Sequence, residues 1–264
     1  MSARPVLLGV SGITVRFGGL TAIDNVSFDV YPGELLGLIG PNGAGKTTML
    51  RSITGVVRAQ SGSVTLQGEP LDGLPIERRI RRGLSLSQQL VKPLRSISLL
   101  DNVALAAGAH KTRSPLRSLL HVSQADERTR AMEMLRSVGI AERAGQFPGT
   151  QPLGVLKRLE MARSLALEPK LLLLDEPLAG LNSQEAHALA GTIVEINRRG
   201  VTIVLIEHNL GEVMRICQRL VVLDNGRKIG DGAPRDVMND PVVRAAYLGG
   251  DNLAASAVTE VDHA

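Results

Sequence analysis

The sequence predicts an α/β fold in which buried strands of a parallel sheet end in polar, chemistry-bearing residues. Three stretches carry that prediction. The run Glu34-Leu35-Leu36-Gly37-Leu38-Ile39 leads into Gly40-Pro41-Asn42-Gly43-Ala44-Gly45-Lys46-Thr47-Thr48, and residues Thr47 to Ile53 suit a helix. Four consecutive leucines, Leu171 to Leu174, precede Asp175-Glu176-Pro177. The β-branched run Val201 to Ile206 ends in Glu207-His208-Asn209. Continuous apolar runs of this length suit strands buried on both faces.

Residues Gly40 to Thr48 match G-x-x-x-x-G-K-[ST], so a nucleoside triphosphate is the first ligand to consider. Glycines let backbone N–H groups curl around phosphate oxygens, and the helix N-terminus adds partial positive charge. Lys46 would reach the β- and γ-phosphates, and the Thr47 hydroxyl would ligate Mg²⁺. Asp175 and Glu176 stand at a strand's C-terminal end, where open α/β sheets hold their ligands. Asp175 would hold Mg²⁺ through water, and Glu176 would act as base or water-orienting group at the γ-phosphate. Acids suited to a helix dipole would explain Asp175-Glu176 alone, but not their pairing with a phosphate loop. His208 could donate to the γ-phosphate and sense its loss. A histidine after a strand is by default a surface residue; its position along the sheet argues for more.

The remaining elements follow from local pattern. Val26 to Val30 alternates with period two and, with Ile13 to Phe17, predicts a small antiparallel β layer. Ser63 to Gln67 is a further short strand. From about 90 to 167 the pattern is helical: Ala131, Met134, Leu135 and Val138 share one face, and Leu156, Leu159, Ala162 and Leu165 another. The methionines there read as core filler. Asn182 or Ser183 caps the next helix, which Gly200 ends. Arg219 to Asp231 predicts a hairpin turning at Asn225-Gly226. The tail 250–264 is small and polar and is expected to be loose.

Bulk properties narrow the function classes. A chain of 264 residues holds one substantial core with a subdomain. Aromatics are 2% of residues, so Leu, Ile, Val and Ala must fill that core. The single cysteine, Cys217, excludes an internal disulfide and favours a reducing compartment. No apolar run approaches the roughly 18 residues of a membrane span. The segment Arg4 to Val10 superficially resembles a signal peptide, but it is short and leads straight into a strand pattern, so secretion is not expected. The densest basic run, Arg78-Arg79-Ile80-Arg81-Arg82, lacks the length and interleaved aromatics of a nucleic-acid site and reads as a solvated helix face.

In order along the chain, from about Val6 to Gly249, these residues resemble the ATPase subunits of ABC transporters. The resemblance implies a P-loop NTPase with a RecA-like core, an antiparallel β subdomain and an inserted α-helical subdomain at about 90–167, all within 6–249. It identifies Gly40 to Thr48 as Walker A and Asp175-Glu176 as Walker B with its glutamate. Phe17 falls at the adenine-stacking position and Gln89 at the Q-loop, a further Mg²⁺ ligand. Gln151 to Val155 stands at the signature, Ala179 to Asn182 at the D-loop, and His208 is the switch histidine. Lys46, Glu176 and His208 are then catalytic, ATP and Mg²⁺ are bound, and Pro152, Leu153 and Gly154 reach the nucleotide of the opposite subunit.

Finer features resemble ATPases of branched-chain amino acid importers: Leu174 to Asn182, Ile206 to Met214, the ending Ala246-Tyr247-Leu248-Gly249, and an insertion at Thr112 to Arg128. This implies two integral membrane permease subunits, a second and different ATPase subunit, and indirectly an extracytoplasmic solute-binding protein. It also implies a station on the cytoplasmic face of the inner membrane and no nucleic acid. Substrates would be branched-chain amino acids or related small polar solutes. Against the common signature L-S-G-G-Q, Pro152 has neither hydroxyl nor N–H and Val155 is apolar. An alternative function is therefore an ATP-binding structural or gating subunit with little hydrolysis of its own. Gln88, where an aromatic usually stands, is a further departure.

Overall fold

The computed structural model describes residues 4–87, 93–108 and 124–247. The chain divides into two compact units, one holding residues up to Arg79 and from Val204 onward, the other Ile80 to Ile203.

In the first unit, β1 (Leu8–Phe17), β2 (Leu20–Val30), β4 (Ser61–Leu66) and β5 (Glu69–Pro70) form a four-stranded sheet in the order β2-β1-β4-β5. Each pairing is antiparallel, with Leu8 opposite Val30 and Phe17 opposite Leu20. Strand β1 starts five residues before the predicted Ile13. The register shifts between Val10 and Ile13, where Gly12 has φ 61°, so an irregularity breaks the alternation that a period-two pattern needs.

Strand β3 (Leu35–Ile39) is wholly buried and pairs in parallel with β9 (Arg219–Asp224). Strand β10 (Arg227–Gly232) returns antiparallel to β9 through Asn225 (φ 46°) and Gly226 (φ 77°). Two successive left-handed residues are what a type I′ hairpin demands, as the Asn-Gly pair predicted. The order here is β10-β9-β3-β8, with β8 (Thr202–Ile206) cut by the unit boundary. Helix α1 (Lys46–Thr54) follows β3 and buries Met49, Leu50 and Ile53.

The basic run is not simply a solvated face. In α2 (Ile76–Arg81), Arg79 is 6% exposed. Its guanidinium donates to the carbonyls of Ser52 at 3.0 Å, Ile53 at 2.7 Å and Leu74 at 3.1 Å. It therefore satisfies carbonyls that the end of α1 leaves without helical partners. Arg78 and Arg81 are exposed, as the charge run implied.

In the second unit, β6 (Leu84–Ser87) pairs in parallel with β7 (Leu171–Asp175), and the order is β8-β7-β6. Leu171 to Leu174 are each 0% exposed, which is why four leucines tolerate one strand. The helices are α3 (Leu99–Gly108), α4 (Gln124–Ser137), α5 (Leu153–Leu165) and α6 (Ser183–Arg198). Ala131, Leu135, Val138, Leu159, Ala162 and Leu165 are buried, as their spacing predicted, whereas Met134 and Leu156 on the same two faces are only half-buried. Helix α6 opens on a capping box: the Asn182 side chain accepts from the Glu185 N–H at 2.9 Å, and Glu185 accepts from the Asn182 N–H at 3.2 Å. Arg158 on α5 donates to Val138 O at 2.7 Å and Thr192 Oγ1 at 2.8 Å, tying α5 to the end of α4 and to α6. The insertion Thr112 to Arg128 lies largely outside the described residues, as do the tail, Leu248 and Gly249.

Candidate nucleotide site

The phosphate loop is built where β3 stops. Gly40 has φ 149°, and a Cβ there would stand 2.0 Å from the Leu223 carbonyl oxygen, so no side chain fits. Gly45 has φ 100°, with Ala22 O 2.6 Å from its would-be Cβ. The loop thus runs close against β9 and the start of β2. Gly45 stands at the N-cap of α1 and supplies no side-chain hydrogen bond, so the loop opens directly on a helix N-terminus. The Ala44 N–H closes the turn onto Pro41 O at 3.2 Å, and the Gly226 N–H holds Ala44 O at 3.1 Å. The β9–β10 hairpin tip therefore braces the loop, which no local pattern in the sequence signals.

Lys46 is 5% exposed, and its Nζ donates to Gly40 O at 2.8 Å and Pro41 O at 2.9 Å. The ammonium spans the loop it would serve. Asn42 and Gly43 are exposed, Ala44 is buried, and Pro41, Thr47 and Thr48 are half-buried. Phe17 ends β1 beside the Gly18-Gly19 turn and is 50% exposed, so it is not a core aromatic. Its partner Leu20 begins the same strand β2 whose Ala22 abuts Gly45.

Further candidates of the first unit follow β8 and end the described chain. His208 follows β8 and is exposed; its N–H donates to the Glu207 carboxylate at 3.1 Å, and Glu207 is buried. The Asn209 side chain caps α7 (Leu210–Ile216) by accepting from the Glu212 N–H at 3.2 Å. Burial pushes the Tyr247 phenol up to about 12, against the Gly40 backbone. Nothing in the sequence around Tyr247 pointed to the loop.

The acidic candidates, Asp175 and Glu176, lie in the second unit. Asp175 is the last residue of β7 and is half-buried. Glu176 has φ 50°, a left-handed conformation uncommon outside glycine. Its carbonyl accepts from the Ala179 N–H at 3.2 Å and from Lys157 Nζ at 3.2 Å. Strain of this kind concentrates where a side chain must be aimed.

The signature residues stand at the start of α5. Pro152 is the exposed N-cap and supplies no side-chain hydrogen bond. Leu153 is 42% exposed, and Gly154 is half-buried. Gln151 is held through its side chain by Arg143, Phe147 O and Thr150 Oγ1 at 2.9–3.3 Å. Gln89 and Gln88 lie outside the described residues.

A glycine cradle at a helix N-terminus with a buried lysine across it suits a polyphosphate. Residues 23–179 match the family model of the ABC transporter. The chain belongs to the ATP-binding subunits of ABC transporters. Residues 227–252 match a second model, that of the branched-chain amino acid ATP-binding cassette transporter. The chain is 37% identical to the high-affinity branched-chain amino acid transport ATP-binding protein LivG of Escherichia coli strain K12, over 92% of this chain and 98% of LivG. It is 36% identical to BraF of Pseudomonas aeruginosa, of the same description, over 94% and 99%. It is similar in structure to the ADP conformation of MJ1267, an ATP-binding cassette of an ABC transporter: TM-score 0.82 and 29% identity over 92% and 99% of the two chains. As an ABC transporter cassette of the branched-chain type, the chain is a nucleotide-binding ATPase subunit whose hydrolysis drives transport. Among the described residues, no helix is long and apolar enough to cross a membrane.

Proposed function

We propose that this subunit powers uptake of branched-chain amino acids, or related small polar solutes, through two separate integral membrane permease subunits. It sits on the cytoplasmic face of the inner membrane, a solute-binding protein delivers the cargo outside, and no nucleic acid takes part. The match of residues 227–252 to the branched-chain model carries this reading, with the LivG and BraF identities beside it. Residues 6–249 act as one ATPase domain, and a helical subdomain of about 90–167 meets the permeases.

Phe17 stacks on adenine, and the amides of Gly40 to Thr48 cradle the phosphates. Lys46 neutralises the β- and γ-oxygens. The hydroxyl of Thr47 and the carboxylate of Asp175 are hard oxygen donors of the kind Mg²⁺ takes, and Gln89 adds a third. Bound Mg²⁺ would supply charge neutralisation at the phosphate oxygens. Glu176 orients the attacking water and takes its proton as the O–Pγ bond forms and the bond to the leaving ADP oxygen breaks. His208 donates to the γ-phosphate and registers its departure.

Pro152, Leu153 and Gly154 face the nucleotide of the opposite subunit. Without the hydroxyl of a serine at 152, a charged hydrogen bond of about 1.5–3 kcal/mol is lost there. Pairing with a different ATPase whose signature is complete leaves the hydrolysing site on this chain's Walker motifs. Glu176→Gln in the assembled transporter should retain ATP, trap a closed pair and stop turnover. Turnover near the unmutated rate would remove Glu176 from its role. The uncapped start of α5 favours a second reading, a gating subunit with little hydrolysis. In that case the partner's Walker-B glutamate, not Glu176, would dominate turnover.

A further inference from the structure

The element that opens with the signature also holds the main chain of the Walker-B glutamate. Lys157 lies one turn into α5, and it is 6% exposed. A lysine that deep is stable only where its ammonium is hydrogen-bonded. Its Nζ donates to the Glu176 carbonyl at 3.2 Å. That carbonyl belongs to a residue at φ 50°, where a side chain is costly unless the surroundings over-determine it.

The same helix braces the segment beyond Glu176. A Cβ on Gly180, itself at φ 79°, would stand 3.0 Å from Leu153 Cδ2. A Cβ on Gly154 would meet Glu185 Oε1 at 3.6 Å and Leu181 Cδ2 at 3.8 Å. Leu153 and Gly154 thus lie beside Gly180, Leu181 and Glu185, while Lys157 grips the turn at Glu176. Rotation of the first two turns of α5 would move the Lys157 ammonium, and with it the donor held by the Glu176 carbonyl.

We propose that Lys157 is a positioning residue for Glu176. It fixes the left-handed turn that aims the carboxylate, and it links the state of the signature helix to the hydrolytic geometry of this same chain. This rests on the reading of Glu176 as the group that orients the attacking water. Lys157 touches no substrate; it acts through the backbone. The consequence is that binding of the signature end to the opposite nucleotide also sets the aim of this chain's own glutamate.

The test uses Lys157→Met, which keeps most of the stem and removes the donor, and Lys157→Arg, which keeps a charged donor. ATPase kinetics are measured in the assembled transporter, with nucleotide affinity and the apo melting temperature of each variant. Lys157→Met should lower kcat on the order of tenfold to a hundredfold with KM within about twofold, the pattern of a misaimed group in an otherwise intact site. Lys157→Arg should recover most of that loss. In a Glu176→Gln background, adding Lys157→Met should cost nothing further.

Unchanged kcat in Lys157→Met, with Glu176→Gln inactive, overturns the positioning role and leaves the Glu176 assignment standing. An active Glu176→Gln overturns the assignment itself, and this inference with it. Equal losses of kcat, nucleotide affinity and melting temperature in both variants would make Lys157 a packing residue and refute the proposal. Should Lys157→Met fail to fold, Lys157→Leu takes its place under the same readouts.

Discussion

Replacing Arg79 with methionine should destabilise the protein far more than a surface charge would, without abolishing nucleotide binding. The guanidinium donates to three main-chain carbonyls, at Ser52, Ile53 and Leu74, with 2.7–3.1 Å separations. Burial pushes the Arg79 guanidinium down from its usual value, and Asp72 partly opposes that, so the charge is held in a poorly solvated place. Hydrogen bonds to charged groups contribute about 1.5–3 kcal/mol each, and a buried carbonyl left alone costs a comparable amount. Ser52 O keeps the Gly55 N–H at 3.1 Å after the change, so its loss is the smallest. The methionine stem restores part of the apolar burial. The net is about 3–5 kcal/mol, as expected for removing one side of a buried charged network. At roughly 2–4 °C per kcal/mol for a domain of this size, the apo melting temperature should fall by about 6–20 °C. ATP affinity should change less than about threefold, because Arg79 holds the far end of α1 from Lys46. Differential scanning fluorimetry with and without ATP measures both. A melt within about 2 °C of the unmutated protein would refute the energetic argument. A collapse of ATP affinity with a normal melt would refute its location.

Three further outcomes follow from other residues. Phe17→Ala should weaken ATP binding about tenfold while leaving the apo melt nearly unchanged, since the ring is half exposed; a large loss of apo stability would mean it supports the β layer instead. Burial alone would push Asp231 up, but Arg219 and Lys228, at 2.7 and 3.0 Å, together hold it below the usual carboxylate value. Its contribution is therefore complete above about pH 4 and lost as pH falls through the folded value, so Asp231→Asn should cost about 1 kcal/mol at pH 7. Urea titrations of both proteins should converge as the pH drops below 4, and a gap independent of pH would contradict the ion-pair origin. Burial pushes the Cys217 thiol up to about 12, so a thiol-reactive chromogen at pH 8 should label it only as the protein unfolds; rapid labelling of the native protein would mean that this face opens readily.

The catalytic strip was legible in the sequence because each part is local. A strand buried on both faces needs only consecutive apolar residues, and Leu171 to Leu174 supply them in one line. The phosphate loop needs glycines at fixed positions, and the hairpin needs Asn225-Gly226, because only a few residue types tolerate those φ values. The α6 cap at Asn182 was readable for the same reason. What stayed hidden depends on partners far along the chain. Arg79 looked like one more surface charge because the carbonyls it satisfies lie 26 or 27 positions away at the end of α1. The bracing of Ala44 by Gly226 joins residues that no short pattern connects. Glu176 could be chosen by its place after Asp175, yet its left-handed backbone and the Lys157 ammonium across from it came only from α5 packing on the end of β7. By itself the sequence singled out the candidate residues for the chemistry, since they sit in contiguous motifs obeying local backbone rules. The tertiary structure alone decided which buried cations hold those motifs in shape, because a hydrogen bond to a distant carbonyl leaves no periodic trace in either segment.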